Sequence, residues 1–453
     1  MREPSDVLFS LRRGGPAVRA AALAAAALIG AAARAQEPAF TLSEALRLAA
    51  RNSVQADTAD LNASAAREES RQIKSLYYPQ VTLDGGHVNL DNDPFFKFGP
   101  TVFPAGEQVY WKYKIAAREV LWDGGRRSAA LSTSRTREQA VELKGVADVR
   151  RAQQAVAERY VGVLSLSDQR RVVDLRKKAL EDHLRIVQDL FDQGMVARND
   201  LLRTEVALRS VDDQASSIDA EEATAREALN QALGADPATA RVFPKGLPPP
   251  PPLPWDEAAV RRLSVENNDA VKAMEARCKA AEESVALRRK EYMPTVIAEL
   301  GHSYEQNRYM LYPHVTSLFV GLSLDVFDGG VRSSRVRQAQ REAEVAAREL
   351  SDLKAQAEVA GMRALRDFNE ALKESRTALA NVEASKENLR IVEDQYKEGL
   401  ARTTDVLDAE TVLAESRFSL ARAHYQAYAR QAALLAVLGQ DLPNFYASNA
   451  KEP

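Results

Sequence analysis

The chain is written twice. Ala45–Gly86 matches Val260–Gly301 at an offset of 215 residues, pairing Leu48 with Leu263, Asn52 with Asn267 and Pro79 with Pro294; His87 and His302 follow in step. From Gly124 to Gly234 the offset becomes 205, against Gly329 to Gly439, and Leu184-Arg185-Ile186-Val187 returns as Leu389-Arg390-Ile391-Val392. The fold must therefore contain each structural unit twice. The ten residues lost between the matched blocks mark a loop that tolerates a change in length.

Each half reads as helix, two strands, long helix, turn, helix. The first helices, about Ser43–Leu76 and Glu257–Glu291, stop before Tyr78-Pro79 and Met293-Pro294. Pro79 and Pro294 force the chain into an extended conformation at the helix-to-strand passage. The halves run over residues 36–243 and 257–453, joined by the Pro-rich segment 244–256. Such a tract favours polyproline II and continues neither a helix nor a central strand.

Four strands are expected, at about 80–90, 109–122, 295–304 and 316–327. The clearest is Ser317–Val326, where Leu318, Val320, Leu322, Leu324 and Val326 share one face and Ser317, Gly321, Ser323 and Asp325 the other. In the matching strand Trp111, Tyr113, Ile115 and Ala117 oppose Lys112, Lys114, Ala116 and Arg118. Alternation fits either a sandwich strand on a core or a stave with lipid on one side and water on the other. Charged Lys112, Lys114 and Arg118 suit a wet lumen, and Tyr110, Trp111, Tyr113 and Trp122 suit interfacial girdles. Val81–Gly86 alternates only weakly. Four strands cannot close a barrel, which needs at least ~8, so sister chains must supply the rest.

After the second strand of each half come Asp123-Gly124-Gly125 and Asp328-Gly329-Gly330, leading into more than sixty proline-free residues. The glycines permit a sharp strand-to-helix turn, and the aspartates accept the first helical amides. A helix from Arg126 to about Gln193 would be ~100 Å long, while a return helix, Asp200–Leu233, covers only ~50 Å. The ~50 Å helix at Ser43–Leu76 makes up the difference by stacking end to end with the return helix. The chain thus re-enters the membrane region where it left.

Export precedes folding in this reading. Residues 1–35 carry Arg12, Arg13 and Arg19, an apolar run from Ala20 to Ala33, and the cleavage pattern Ala33-Arg34-Ala35. Five arginines and two acids lie in that segment, leaving 56 basic against 62 acidic residues, a net charge of −6, which argues against a nucleic-acid partner. No other stretch has the ~18 consecutive apolar residues of a membrane helix, so membrane contact must come from strands. The single cysteine, Cys278, lies far from the cleavage site in a helical pattern; it is expected to be a small packed residue, and no lipid anchor is expected.

With these segments in place, the chain resembles the TolC-like outer-membrane efflux proteins over essentially its whole mature length. The most specific stretches are Phe191-Asp192-Gln193-Gly194-Met195-Val196-Ala197-Arg198-Asn199-Asp200-Leu201-Leu202 and Tyr396-Lys397-Glu398-Gly399-Leu400-Ala401-Arg402-Thr403-Thr404-Asp405-Val406-Leu407-Asp408-Ala409. The resemblance implies a mainly α protein with membrane β: a homotrimer with a twelve-stranded barrel continued by a periplasmic α-helical barrel. It implies an equatorial belt made by the chain end and the inter-repeat linker. It also implies an exit duct in the bacterial outer membrane, coupled through a periplasmic adaptor to an inner-membrane pump of RND, ABC or MFS type. The adaptor would dock at the tips formed by Gly194, Met195, Val196 and Ala197 and by Gly399, Leu400 and Ala401.

At those tips Gly194 and Gly399 suit left-handed helix ends, and Asn199 and Thr404 are expected to cap the next helices. Asp200 and Asp405, in the first turn, complement the helix dipole. The resemblance gives Asp405 and Asp408 a second role, as rings in the tunnel near the closed entrance that favour cations. It places Asp200 and Tyr396 in the closing network. The gate arginine of a family member falls where this chain has Ala401, which makes Arg402 a candidate substitute. His87, His183, His302, His314 and His424 lack metal-ligand spacing, and no phosphate loop or nucleophile motif is present, so neither cofactor, metal nor catalysis is expected. The rival reading is a periplasmic coiled-coil scaffold or adaptor, which should carry Gly/Val-rich β-domains around one helical hairpin.

Overall fold

A computed structural model describes residues 39–449; the expected export signal lies outside the described residues. In chain order the elements are α1 (Leu42–Asn52), α2 (Val54–Ser75), β1 (Gln80–Asn89), β2 (Phe95–Phe98), β3 (Thr101–Pro104) and β4 (Val109–Trp122). These are followed by α3 (Arg126–Asp192), α4 (Arg198–Ala232), α5 (Glu257–Glu266) and α6 (Asp269–Lys290). The chain ends with β5 (Thr295–Glu305), β6 (His314–Ser323), α7 (Val331–Lys397), α8 (Thr403–Val437) and α9 (Leu442–Asn449).

Four strands form one antiparallel sheet in the order β1-β4-β5-β6. The last stops at Ser323, short of the expected 327, so Leu324 and Val326 lie beyond the ladder. The ten-residue difference between the halves is a small hairpin, β2–β3, in the loop between β1 and β4. Its pattern escaped the sequence reading because Phe95-Phe96-Lys97-Phe98 is apolar on both faces and shows no alternation.

The two first helices are each split, contrary to the single helices expected from the sequence. Ser53 is extended, at φ −69° and ψ 150°, and its Oγ accepts from Ala56 N at 3.2 Å. In the second half Asn268 takes the same place, its Oδ1 accepting from the Ala270 and Val271 amides. The physical reason for the break is a neighbour. Gly234, at φ 67°, closes α4 against Asn52, where an added Cβ would lie 1.9 Å from the Asn52 carbonyl oxygen. Gly439, at φ 65°, closes α8 against Asn267 with 2.2 Å of room. A continuous helix would bury that carbonyl in its own ladder, whereas the split opens a seat for the returning helix.

Near the sheet the helices lie in the order α2–α3–α6–α7; farther away they lie in the order α4–α3–α8–α7. One 67-residue helix thus runs beside two short ones in each half, as the length arithmetic requires. The borders agree in both layers: α2 or α4 on one side, below β1, and α7 on the other, below β6.

The core is densest where the short helices meet. Phe40, Leu46, Tyr160, Leu164, Leu229, Tyr425, Leu435 and Tyr446 form one buried cluster, against which Phe243, Leu247, Leu253 and Trp255 of the linker pack. The linker is tied down through its carbonyls: Tyr428 donates to Pro248 O at 2.6 Å and Gln431 to Pro251 O at 2.7 Å. Away from this cluster smaller ones join the helices, among them Val173, Leu180, Val211 and Phe418, and Val382, Leu389 and Leu413, while Cys278 is buried beside Met274 and Ala346.

Candidate functional site

Two places carry the chain's specialised geometry, the strand-to-helix junctions and the helix-to-helix tips. At the first junction Gly124 and Gly125 adopt φ 64° and 80°. The Asp123 carboxylate then accepts from the amides of Gly125 (3.1 Å) and Arg127 (2.9 Å) and from Arg127 Nε (3.1 Å). Arg127 spreads further, donating to the Leu76 and Val120 carbonyls and lying 4.8 Å over the Tyr77 ring. One guanidinium thereby fastens the end of the first helical segment, the strand and the long helix together.

The second junction repeats the device. Gly329 and Gly330 sit at φ 66° and 91°, Asp328 accepts from the Gly330 and Arg332 amides, and Arg332 Nε reaches Asp328 at 2.7 Å. The Arg332 guanidinium beside it holds the Asp328 carboxyl down at about 2. Pro79 and Pro294 lie where expected, one residue before β1 and β5. The glycine and aspartate roles were legible in the sequence; the arginine four residues after each aspartate was not, because its partners come from three elements.

At the tips Gly194 and Gly399 turn at φ 73° and 75°, and the next amides, of Met195 and Leu400, donate back to Leu190 O and Gln395 O at 2.8 Å each. Those bonds satisfy the carbonyls left open at a helix end. The caps of the following helices differ from expectation: they are Ala197 and Arg402, with Asn199 and Thr404 already inside the first turn. At the second tip the cap is completed from the third position, where Asp405 Oδ2 accepts from Arg402 N at 2.8 Å. The Asp405 carboxylate thus substitutes for a capping side chain.

Met195 (69% exposed) and Leu400 (76% exposed) project from the tips. Val196, Leu201 and Ala401 instead lean into a cluster formed by Val187, Tyr396 and Val406, which joins the two hairpins. Tyr396 is buried there, its hydroxyl 3.3 Å from Thr403 Oγ1, with the His183 ring 5.2 Å away. Asp200 is half-buried, while Asp405 and Asp408 are exposed on one face of α8, opposite buried Val406 and Ala409. Among the described residues none of Asp200, Asp405, Asp408 or Arg402 forms an ion pair within the protomer. Two groups beside them were not singled out from the sequence. His183 is buried with its Nε2 unpartnered, and burial pushes its pKa down. Glu410 is buried on the opposite side of α8, its carboxyl raised by burial and then by Glu393.

Residues 43–235 and 260–440 each match the outer membrane efflux protein family. The chain belongs to that family. Within it, AprF of Pseudomonas aeruginosa, an alkaline protease secretion protein, is 23% identical over 394 residues, covering 76% of this chain and 81% of AprF. CyaE of Bordetella pertussis is 26% identical over 374 residues, covering 81% of this chain and 77% of CyaE. The fold is similar to that of the outer membrane protein VceC of Vibrio cholerae, with a TM-score of 0.74 at 16% identity, covering 88% of this chain and 96% of VceC. It is likewise similar to the MtrE outer membrane channel of Neisseria gonorrhoeae, with a TM-score of 0.72 at 17% identity, covering 88% and 89%.

Family and fold are those of outer-membrane transport channels and not of enzymes. The chain is accordingly a protein of the outer membrane.

Proposed function

We propose that this chain is one protomer of a homotrimeric outer-membrane exit duct, in which three four-stranded sheets close a twelve-stranded barrel above a helical tube. The observation that carries the reading is the agreement of the unpaired borders. The sheet ends in β1 and β6, the helical layer ends below them in α2 or α4 and in α7, and both borders run continuously from one end of the molecule to the other. Open strand edges are intolerable in lipid, so a sister chain must cover them. A rotation that joins β6 to the next β1 also joins α7 to the next α2 and α4, closing both layers at once.

Such a duct conducts passively, for efflux or for secretion, with the driving force supplied by the inner-membrane partner. Lys112, Lys114 and Arg118 face the barrel interior, where Lys114 pairs with Glu299 at 2.7 Å. The repeats, 36–243 and 257–453, each supply two staves and one helical hairpin, with the 244–256 linker and α9 forming the belt. The tips, exposing Met195 and Leu400, are the docking points for a periplasmic adaptor that links the duct to an inner-membrane pump. Asp405 and Asp408 of three protomers form rings near the entrance, and Tyr396 with Asp200 belongs to the network that closes it.

The test is membrane fractionation of the exported protein, gel mobility with and without heating, and planar-bilayer conductance. Heat-dissociable trimers with discrete conductance steps are expected. A detergent-free, folded, soluble monomer would overturn the reading in favour of a periplasmic scaffold.

A further inference from the structure

The outward face of the sheet changes chemistry along its length. Registered rows on this face begin, at the helix end, with Val296 beside Leu322 and Ala298 beside Val320, followed by Val81, Ala117, Leu300 and Leu318. Leu83, Ile115, His302 and Thr316 follow, then Gly85, Tyr113, Tyr304 and His314, and finally His87 beside Trp111. The aliphatic rows are bare, with Leu318 at 71% and Leu83 at 73% exposed, as a hydrocarbon-facing band requires. The last rows hold imidazoles, phenols and an indole, three of the chain's five histidines among them.

Two of these side chains form a pair and the other four a connected run. His87 lies 4.8 Å from Trp111, Tyr113 lies 5.2 Å from Tyr304, Tyr304 lies 4.6 Å from His314, and His302 stacks on His314 at 5.6 Å between ring centres. His302 Nδ1 is engaged by Thr316 Oγ1 at 2.9 Å. Among the described residues no group of three or more potential metal ligands gathers, here or elsewhere. The rings present a row of N–H and O–H donors at the end of the sheet remote from the helices, which is the outer rim.

We propose that this belt of His87, Trp111, Tyr113, His302, Tyr304 and His314 binds the phosphorylated headgroups of outer-leaflet lipid. The inference rests on the exit-duct reading, because it needs the sheet to stand in the membrane with its loop end outward. Two features select lipid over another occupant. The belt continues an apolar band without a break, so whatever covers it must be apolar below and polar at one height. Charge supports the same choice, since among the described residues no carboxylate shares these outer rows: Asp84, Glu299 and Glu305 point inward with Lys112, Lys114 and Arg118. The other titratable groups at that end are Lys97 on β2, Tyr110 on β4, Tyr309 and Tyr312 in the β5–β6 loop, Asp91 and Asp93 in the loop after β1, and Glu107, already paired with Arg308 at 2.5 Å. An imidazole carries at least one ring N–H that can donate to a phosphate oxygen, and the phenols and the indole add further donors.

The probe is purified lipid A in neutral detergent micelles, with bound copies per trimer counted by native mass spectrometry. The wild-type trimer is expected to bind lipid A at least about tenfold more tightly than phosphatidylcholine. The triple variant H87F/H302F/H314F keeps aromatic rings without their N–H donors and is expected to lose the preference, while retaining heat-dissociable trimers and conductance. Enzymatically dephosphorylated lipid A is expected to bind like phosphatidylcholine. Unchanged lipid A binding in the variant overturns the proposal, as does full competition by inorganic phosphate alone. Absence of trimers and conductance in the wild type overturns the exit-duct reading instead.

Discussion

The junctions and the tips are both places where a glycine turns the chain and an acid receives helical amides, yet they are built to different standards. At the junctions the two halves repeat the central bonds: Asp123 with Arg127, Asp328 with Arg332, each arginine also donating to a strand-end carbonyl and facing an aromatic ring, with Leu76 O and Glu119 added at Arg127. At the tips only the backbone repeats. Tyr396 stands where the first half has Phe191, Asn388 where it has His183, and Asp405 caps a helix that Asp200 leaves uncapped. In the proposed duct, duplication has kept the end that registers with the membrane and varied the end that would open and meet partners.

The contrast predicts unequal damage. Replacing Asp123 by Ala leaves Arg127, with 14% side-chain exposure, with Glu119 alone at 3.3 Å and takes the acceptor from the Gly125 and Arg127 amides, which should cost roughly 2–4 kcal/mol and deplete the heat-dissociable trimers. Asp328→Ala should be milder, because Asp328 is more open to water. Its carboxylate also sets a pH limit. The folded pKa is about 2, below the unfolded value, so the Arg332 bond stabilises fully above the ordinary 3.8 and fades as pH falls toward 2. Trimer melting of wild type and Asp328→Ala should therefore converge only at that acid extreme.

Glycines sharpen the comparison. Gly234→Ala and Gly439→Ala meet the carbonyls of Asn52 and Asn267 at 1.9 and 2.2 Å, so a left-handed penalty adds to a backbone clash, together ~2–4 kcal/mol. At the tips Gly194→Ala and Gly399→Ala have nothing within 4 Å of the new Cβ and should cost only the conformational ~1–2 kcal/mol. Equal destabilisation at both places, measured by melting of the trimer, would show that the belt is looser than its contacts require.

Much of this was readable from the chain before its structure. The repeat offsets, the prolines ending α2 and α6, the Asp-Gly-Gly junctions and the positive-φ tip glycines are all local patterns with a physical cause within a few residues. What could not be read depends on neighbours distant in sequence. Nothing in Asn52-Ser53 announces a broken helix until Gly234 arrives to occupy the gap. Tip caps were misplaced by two residues because Asn199 and Thr404 have ideal capping chemistry, while Asp405, from the third position, reaches the amide that decides the boundary. The buried neighbours of Tyr396 lie on other helices and leave no local signature.

Conduction offers a further asymmetry. Asp405→Ala with Asp408→Ala removes both exposed acids of the second tip and should shift reversal potentials toward lower cation selectivity and weaken block by multivalent cations. The stability cost is confined to one lost cap, about 1 kcal/mol. Asp200→Ala alone, half-buried and not capping Ala197, should move selectivity less. Unchanged reversal potentials in the double variant would remove the acidic rings from the proposal.

The smallest effect concerns His183, which only the first half possesses. Its ring is buried against Tyr396 with Nε2 unpartnered, so protonation places an uncompensated charge where the two hairpins touch. Burial lowers its folded pKa below the ordinary 6.5, and the loosened tip therefore takes up the proton first. The contact is unaffected above pH 6.5 and weakens as pH falls from there toward the folded value. Bilayer conductance should accordingly show more frequent opening on mild acidification, and His183→Asn, which copies the second half, should flatten that dependence. Glu410, raised by burial, moves the other way: as pH falls it gains the proton that its buried site favours, so it works against opening. An acid response unchanged in His183→Asn would place the sensitivity elsewhere on the tip.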